Sequence, residues 1–131
     1  MKYEYDIAMS PYTHPDVLAT MAKDVAYATR WGVAQNPNAP YAALLTLSRD
    51  RYSSVRKEVA YNPSTPLDIL TALSKDRDTD VRWAVAEAPH TPPEVLVFLS
   101  SDVSMHVSWE IAQHPNTPYG IWVSIWGRVL P

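Results

Sequence analysis

The chain has 131 residues, of which 47% are hydrophobic and 19% are charged, as expected of one folded domain with its own core. It contains no cysteine, which excludes disulfide bonds, thiolate metal sites and cysteine nucleophiles. The net charge is −3, and a basic excess, of nine residues against seven, occurs only in residues 23–82, which argues against a protein that binds nucleic acid over its whole surface.

The N-terminal segment does not have the pattern of a secretory signal. Residues 1–6 are acidic and aromatic, whereas such a signal begins with basic residues and continues with an apolar run. The uncharged apolar runs of the sequence are too short to cross a bilayer. We therefore expect a cytoplasmic protein that is not embedded in a membrane, with residues 1–131 forming a single domain.

The sequence is built on a repeat of 26 residues. Proline recurs at this spacing, at positions 11, 37, 63, 89 and 115. Further columns hold leucine, aspartate, valine or alanine through the repeats without insertion or deletion, a pattern typical of stacked solenoid units. The predicted units are an N-terminal half repeat, four complete repeats and a C-terminal partial repeat, at residues 1–10, 11–36, 37–62, 63–88, 89–114 and 115–131.

Each repeat predicts two short helices, which we call helix A and helix B. In the third repeat, Thr65 is the expected N-cap of helix A, Pro66 its first residue and Asp68 the partner of Thr65 in a capping box. Helix A should end by about Lys75, helix B should begin near Asp80, and the next proline should stop helix B. Helices this short are marginal alone, so neighbouring repeats must stabilise them.

Leucines three residues apart and valines four residues apart indicate helices. The frame Pro-x-x-Pro-x-x-x-Leu-x-x-Leu-Ser-x-Asp-x-x-x-x-Val-Arg-x-x-Val-Ala resembles the leucine-rich repeat variant family, within the class of HEAT-like and armadillo-like helical repeats, over residues 11 to about 125. In the third repeat the resemblance rests on Leu70, Leu73, Asp76, Val81, Arg82, Val85 and Ala86. It implies an all-α, right-handed α-solenoid of short paired helices with about four and a half 26-residue repeats. The cysteine cluster that holds an iron–sulfur centre in one relative is missing here, so no cofactor is expected.

Three repeats place an aspartate six residues before an arginine: Asp24 with Arg30, Asp50 with Arg56 and Asp76 with Arg82. These pairs are similar to the Asp/Arg ladder of HEAT-like repeats, in which the carboxylate caps helix B or meets an arginine of the same or the adjacent repeat. The fourth repeat has Asp102 but Ser108, as expected of a structural row that ends near a cap. The resemblance therefore implies that these columns serve stability.

One variable column of helix B holds the candidate partner-binding residues Trp31, Lys57, Trp83 and Trp109. At 100° per residue, this column points away from the valines of the core. Exposed tryptophans are typical of binding hot spots. The alternative is that the indoles pack between adjacent B helices, and the sequence leaves both possibilities open.

A second variable surface is basic. It comprises Lys23, Arg49, Arg51, Lys75 and Arg77, all near the turn from helix A to helix B. Such a stripe could bind the phosphates of a nucleic acid. Since aspartates flank these bases, we favour the interpretation that the turn is locally neutralised.

The C-terminal partial repeat is apolar, although terminal repeats are normally polar. Trp122, Trp126 and Leu130 are therefore candidates for self-association. This feature favours a third class of protein, a small structural or inhibitory protein that acts as a homo-oligomer.

The sequence offers no positive evidence for catalysis or for a metal site, since it has no phosphate-binding glycine loop, no serine elbow and no pair of histidines at metal-binding spacing. We expect a protein that is not an enzyme and that binds a protein or peptide partner along an extended face of the solenoid. A nucleic-acid-binding protein that uses the basic stripe is the alternative.

Overall fold

A computed structural model describes residues 2–129, and Leu130 lies outside the described residues. Over the described range the secondary structure is entirely helical. The ten helices are α1 (Lys2–Met9), α2 (Pro15–Met21), α3 (Tyr27–Gln35), α4 (Tyr41–Leu47), α5 (Ser53–Tyr61), α6 (Leu67–Leu73), α7 (Thr79–Glu87), α8 (Pro93–Leu99), α9 (Met105–Gln113) and α10 (Tyr119–Val129).

The helices form two layers. The A helices α2, α4, α6, α8 and α10 begin 26 residues apart, and the B helices α3, α5, α7 and α9 do the same, with α1 as the first helix of the B layer. Neighbouring B helices approach one another more closely than neighbouring A helices do, which puts the B layer on the inside of the curve. The prediction of an all-α repeat solenoid is confirmed.

The core lies between the two layers and consists of the columns that the repeat predicts. Leu70 and Leu73 on α6 and Val81 and Val85 on α7 are almost completely buried. So are their equivalents in the complete repeats, except Met21, which is partly buried. Each fully buried side chain of this size contributes about 1.5–3 kcal/mol. Packing between repeats therefore stabilises helices of seven to nine residues that would be marginal alone.

The predicted capping box at Thr65 is wrong. Pro66 is the N-cap of α6, no side chain caps that helix, and α6 begins at Leu67. The Thr65 hydroxyl instead donates a hydrogen bond to the Val59 carbonyl in the last turn of α5, at 2.6 Å. Thr91 and Thr117 make the same bond with the preceding B helix. The threonine therefore caps the end of helix B. Pro63 has no N–H to offer the Val59 carbonyl, so the Thr65 hydroxyl adds a short bond to the one that this carbonyl accepts from the Asn62 amide at 3.2 Å.

Asparagine links the turns of successive repeats. The Asn62 side-chain amide donates to the carbonyls of Ala34 and Asn36, each at 2.8 Å, and its carbonyl accepts from the Ser64 amide at 2.9 Å. Asn36 makes the equivalent bonds one repeat earlier. Ala88 interrupts this column, which continues at residue 114, where a histidine Nε2 lies 2.8 Å from the Ala88 carbonyl.

His90 occupies a turn column in which other repeats use a hydrogen-bonding side chain. Asn38 donates to the Pro11 carbonyl at 2.7 Å and Asn116 donates to the Pro89 carbonyl at 3.2 Å. The buried Nε2 of His90 makes no hydrogen bond with the described residues. Burial, assisted by the nearby His114, lowers the pKa of His90.

Replacing His90 by asparagine is expected to raise the free energy of unfolding by roughly 0.5–1.5 kcal/mol, because the new amide can donate to the Pro63 carbonyl. The change should also reduce the acid sensitivity of the fold. Since the pKa of His90 is lowered in the folded protein, the unfolded chain binds more protons as the pH falls below about 6.5, and stability present above that pH is lost.

Thermal melts of the wild type and His90→Asn at about pH 7.5 and about pH 5 test this prediction. His106→Asn is the control, since His106 is exposed on α9. Melting temperatures that fall in parallel for the wild type and His90→Asn would contradict it.

Candidate functional site

Each arginine of the Asp/Arg columns binds the aspartate of the next repeat, twenty residues ahead. The Nε to Oδ2 distances are 2.7 Å for Arg30 with Asp50, 2.8 Å for Arg56 with Asp76 and 2.8 Å for Arg82 with Asp102. All six side chains are largely buried. We call these pairs the Asp–Arg ladder.

The ladder also closes each turn from helix A to helix B. Nη1 of Arg56 donates to the backbone carbonyl of Asp50, at 2.6 Å, so the six-residue spacing reflects a backbone contact within one repeat. The Asp50 carboxylate accepts from the Tyr52 amide at 3.0 Å, and it raises the pKa of Arg30 mainly through their hydrogen bond. Every arginine of the ladder therefore ties two repeats together.

The tryptophan column lies on the inner face of the B layer. We call this surface the inner face and define it by Trp31, Lys57, Trp83 and Trp109 with their neighbours on the B helices. Trp31 and Trp83 are half-buried and contact the core, whereas Trp109 is 45% exposed. Trp31 and Trp83 thus pack against the core and still present part of their surface, and the binding of a partner at this column stays a prediction.

Aromatic contacts extend this column to both ends of the layer. Tyr5 on α1 stacks on Trp31 with ring centroids 6.0 Å apart, and Trp109 meets Trp126 of α10 edge to face at 4.9 Å. Gly32 permits the close approach of α1 to α3, since a Cβ there would lie 3.0 Å from the Ala8 Cβ. Tyr5 stands 26 residues before Trp31, a spacing by which the sequence could have revealed it.

Carboxylates accompany the aromatic rings on the inner face, and the sequence interpretation missed them. Glu58, Glu87 and Glu110 lie close enough to Tyr61 to raise its pKa, and Asp6 and Asp80 stand at neighbouring helix positions on α1 and α7. Among the described residues of this face, Lys57 is the one lysine or arginine. Trp83 and Glu87 are four residues apart on α7 and so lie on the same side of that helix. The described part of the inner face is therefore aromatic and acidic.

Two of these groups bridge adjacent helices. The Tyr61 hydroxyl on α5 donates to Glu87 on α7 at 2.9 Å, and burial together with this bond raises the pKa of Tyr61. Burial raises the pKa of the Glu58 carboxyl, while Lys57 and a hydrogen bond with Trp31 of α3 lower it. The inner face is thus held in place by side-chain contacts between repeats.

The five bases of the basic stripe are exposed and lie along one edge of the solenoid. Beside these bases, Asp50 and Asp76 are bound by Arg30 and Arg56. Asp24 and Asp78 lie outside the ladder, so the local neutralisation of the turn stays a prediction. Two of the bases rest on aromatic rings: Arg51 on Tyr52 at 5.2 Å and Lys75 on Phe98 at 5.4 Å. A shallow depression on this edge is lined by Ser48, Arg49, Asp50, Arg56, Asp76 and Arg77.

At the C-terminal end, α10 presents an apolar face. Trp122 is 43% exposed, although the leucines of its column are buried in the complete repeats. Its indole lies between the rings of Tyr119 and Trp126, with centroids 6.2 Å and 5.9 Å away. Trp122, Val123, Trp126 and Gly127 line an open apolar depression.

Across the described residues, no three histidine or carboxylate side chains are grouped so as to hold a metal ion. Within the same range, no helix has both the length and the apolar character needed to cross a membrane. Comparisons with protein-family models, with curated proteins and with solved structures found no match to the chain.

Proposed function

We propose that this protein is a non-enzymatic repeat protein of the leucine-rich repeat variant type and that its inner face binds a basic segment of a partner protein. The column pattern of residues 11 to about 125 supports the family assignment. The observation that carries the function is the composition of the inner face, where the tryptophans of α3, α7 and α9 lie beside carboxylates.

This combination suits lysine and arginine side chains. A cation placed over a tryptophan ring gains about 0.5–2 kcal/mol, depending on how far it is desolvated. A neighbouring carboxylate such as Glu87, beside Trp83, can accept hydrogen bonds from the same cation. Because Trp31, Trp83 and Trp109 occupy equivalent positions of three repeats, an extended segment can use several of them at once.

The inner face is also preorganised for binding. The hydrogen bond from Tyr61 to Glu87 and the stacking of Tyr5 on Trp31 hold these side chains before a partner arrives. Fixed side chains lose little conformational entropy on binding, so more of the contact energy appears as affinity.

A second candidate function is the binding of nucleic acid at the basic stripe. The observation that favours it is the ladder, which engages Asp50 and Asp76 and leaves the charges of Arg49 and Arg77 uncompensated by them. Such binding would be strongly dependent on salt, since it depends on phosphate contacts.

Peptide titrations test the first function. Labelled peptides of about 15 residues with a net charge of about +5 are expected to bind with a Kd of roughly 1–100 µM, and peptides of the same apolar content with a charge of about −5 are not. Replacing Glu87 and Glu110 by glutamine should weaken binding about five- to tenfold, because two attractive charges are removed. Trp83→Leu should weaken it similarly while keeping an apolar side chain against the core.

The matched control is Asp16→Asn with Glu94→Gln, which makes the same change in net charge on the A layer and should alter the Kd less than about twofold.

A third probe, a single-stranded oligonucleotide, distinguishes the second candidate function from the first. Oligonucleotide binding that is lost in Arg49→Ala/Arg77→Ala, together with no preference for basic peptides, would replace the first function by the second. Equal binding of basic peptides to the wild type and to the inner-face variants would contradict the first.

A further inference from the structure

The N-terminal helix exposes residues that belong to core columns. Tyr3 and Ile7 on α1 stand where Val55 and Val59 stand on α5. The two valines are completely buried, whereas Tyr3 is 76% and Ile7 46% exposed. The reason is that α1 is a B helix against which, among the described residues, no preceding A helix packs.

The C-terminal helix shows the complementary situation. Here α10 is an A helix whose Ile125 is buried, but Trp122, in the column of Leu70 and Leu96, remains exposed. In a complete repeat that column packs against the valine column of the following B helix. No following B helix is present within residues 2–129.

We propose that the chain associates head to tail with a second copy of itself. The helix α10 of one molecule and the helix α1 of the next would form the A and B halves of one composite repeat. Trp122 and Ile7 would then occupy the positions in which the leucine and valine columns meet inside every complete repeat.

The ladder columns at the C-terminal end avoid a contact between two bases. Arg128 stands in the aspartate column. The arginine that would stand twenty residues before Arg128, at the ladder spacing, is replaced by Ser108. Position 108 is thus the one ladder position at which an arginine would stand at the pairing distance from another arginine, and it holds a serine.

Head-to-tail contacts use two different surfaces and do not close on themselves unless the rotation forms a ring. The association therefore extends the solenoid by further copies and is not limited to a dimer. It also covers the open apolar depression at Trp122 and Trp126, where several apolar side chains are exposed together and not singly.

Sedimentation velocity of the 131-residue chain and two variants tests the proposal. The mean mass of the wild type should rise with concentration beyond that of a dimer. Ile7→Asp and Trp122→Asp should each associate at least about tenfold more weakly, since a charge replaces a buried apolar contact. An equimolar mixture of the two variants should form a one-to-one heterodimer and nothing larger, because each variant retains the end that the other has lost.

Val103→Asp is the control, since Val103 is 94% exposed in a turn outside both ends, and it should associate as the wild type does. Circular dichroism checks that all three variants are folded. A monomeric wild type at every concentration would overturn the proposal. So would undiminished association of Ile7→Asp, which would indicate a symmetric contact between two α10 helices, or a mixture that contains only monomers.

Discussion

Replacing Arg56 by alanine is expected to lower the free energy of unfolding by about 3–5 kcal/mol, because it leaves Asp76 as a buried carboxylate without its counter-charge. The side chains of this pair are 7% and 10% exposed, so solvent screens little of the interaction. The substitution also removes the hydrogen bond to the Asp50 carbonyl that closes the turn. Urea unfolding followed by circular dichroism measures the effect.

Arg51→Ala is the matched control, since Arg51 is an exposed arginine of the same turn. This substitution should lower the free energy of unfolding by less than about 0.5 kcal/mol. Binding of basic peptides by folded Arg56→Ala should be unchanged within about twofold, because Arg56 lies in the ladder and away from the inner face. A loss of stability no larger than that of Arg51→Ala would show that the ladder does not hold the repeats together.

Replacing Asn62 by alanine is expected to lower the free energy of unfolding by roughly 2–4 kcal/mol. The side chain is 2% exposed and bonds two carbonyls of the preceding repeat and one amide of its own turn. The Asn36 carbonyl keeps the Ala39 amide as a donor, so the loss falls on the Ala34 carbonyl and the Ser64 amide. A buried backbone group left without a partner costs about 1–3 kcal/mol.

Asn38→Ala provides the comparison for Asn62, since Asn38 is exposed and donates one hydrogen bond to the Pro11 carbonyl. It should cost less than about 1 kcal/mol, because water can replace that bond. Equal losses in the two variants would contradict a special role for the buried asparagine. Hydrogen exchange at the Ser64 amide provides a local measurement, and it should become faster only in Asn62→Ala.

The fold could be predicted because its signals are local. The spacing of Leu70 and Leu73, and of Val81 and Val85, places each pair on one side of a helix, whatever lies beyond the repeat. The helix ends were less predictable. Thr65 carries a hydroxyl that suits an N-cap, but a carbonyl of the preceding helix, at Val59, comes close enough to accept its hydrogen bond. That proximity arises from the turn and not from the preference of threonine for caps.

The candidate site could be predicted only in part. The tryptophan column was evident from the repeat, but Glu58 and Tyr61 were not, since each acquires its role from a residue on an adjacent B helix. The partner of Asp50, beside the basic stripe, was unpredictable for a related reason, because Asp50 binds Arg30 of the preceding repeat. Contacts of this kind depend on how one repeat is stacked on the next.

The sequence by itself determined the repeat length, the two helices of each repeat and the residues of the core, because helical periodicity needs no information from beyond the helix. Only the tertiary structure decided that Arg56 binds the aspartate twenty residues ahead and that Trp122 is exposed in a column of buried leucines. The physical reason is that both outcomes depend on the distance and rotation between neighbouring repeats, which bring together side chains that are far apart in the sequence.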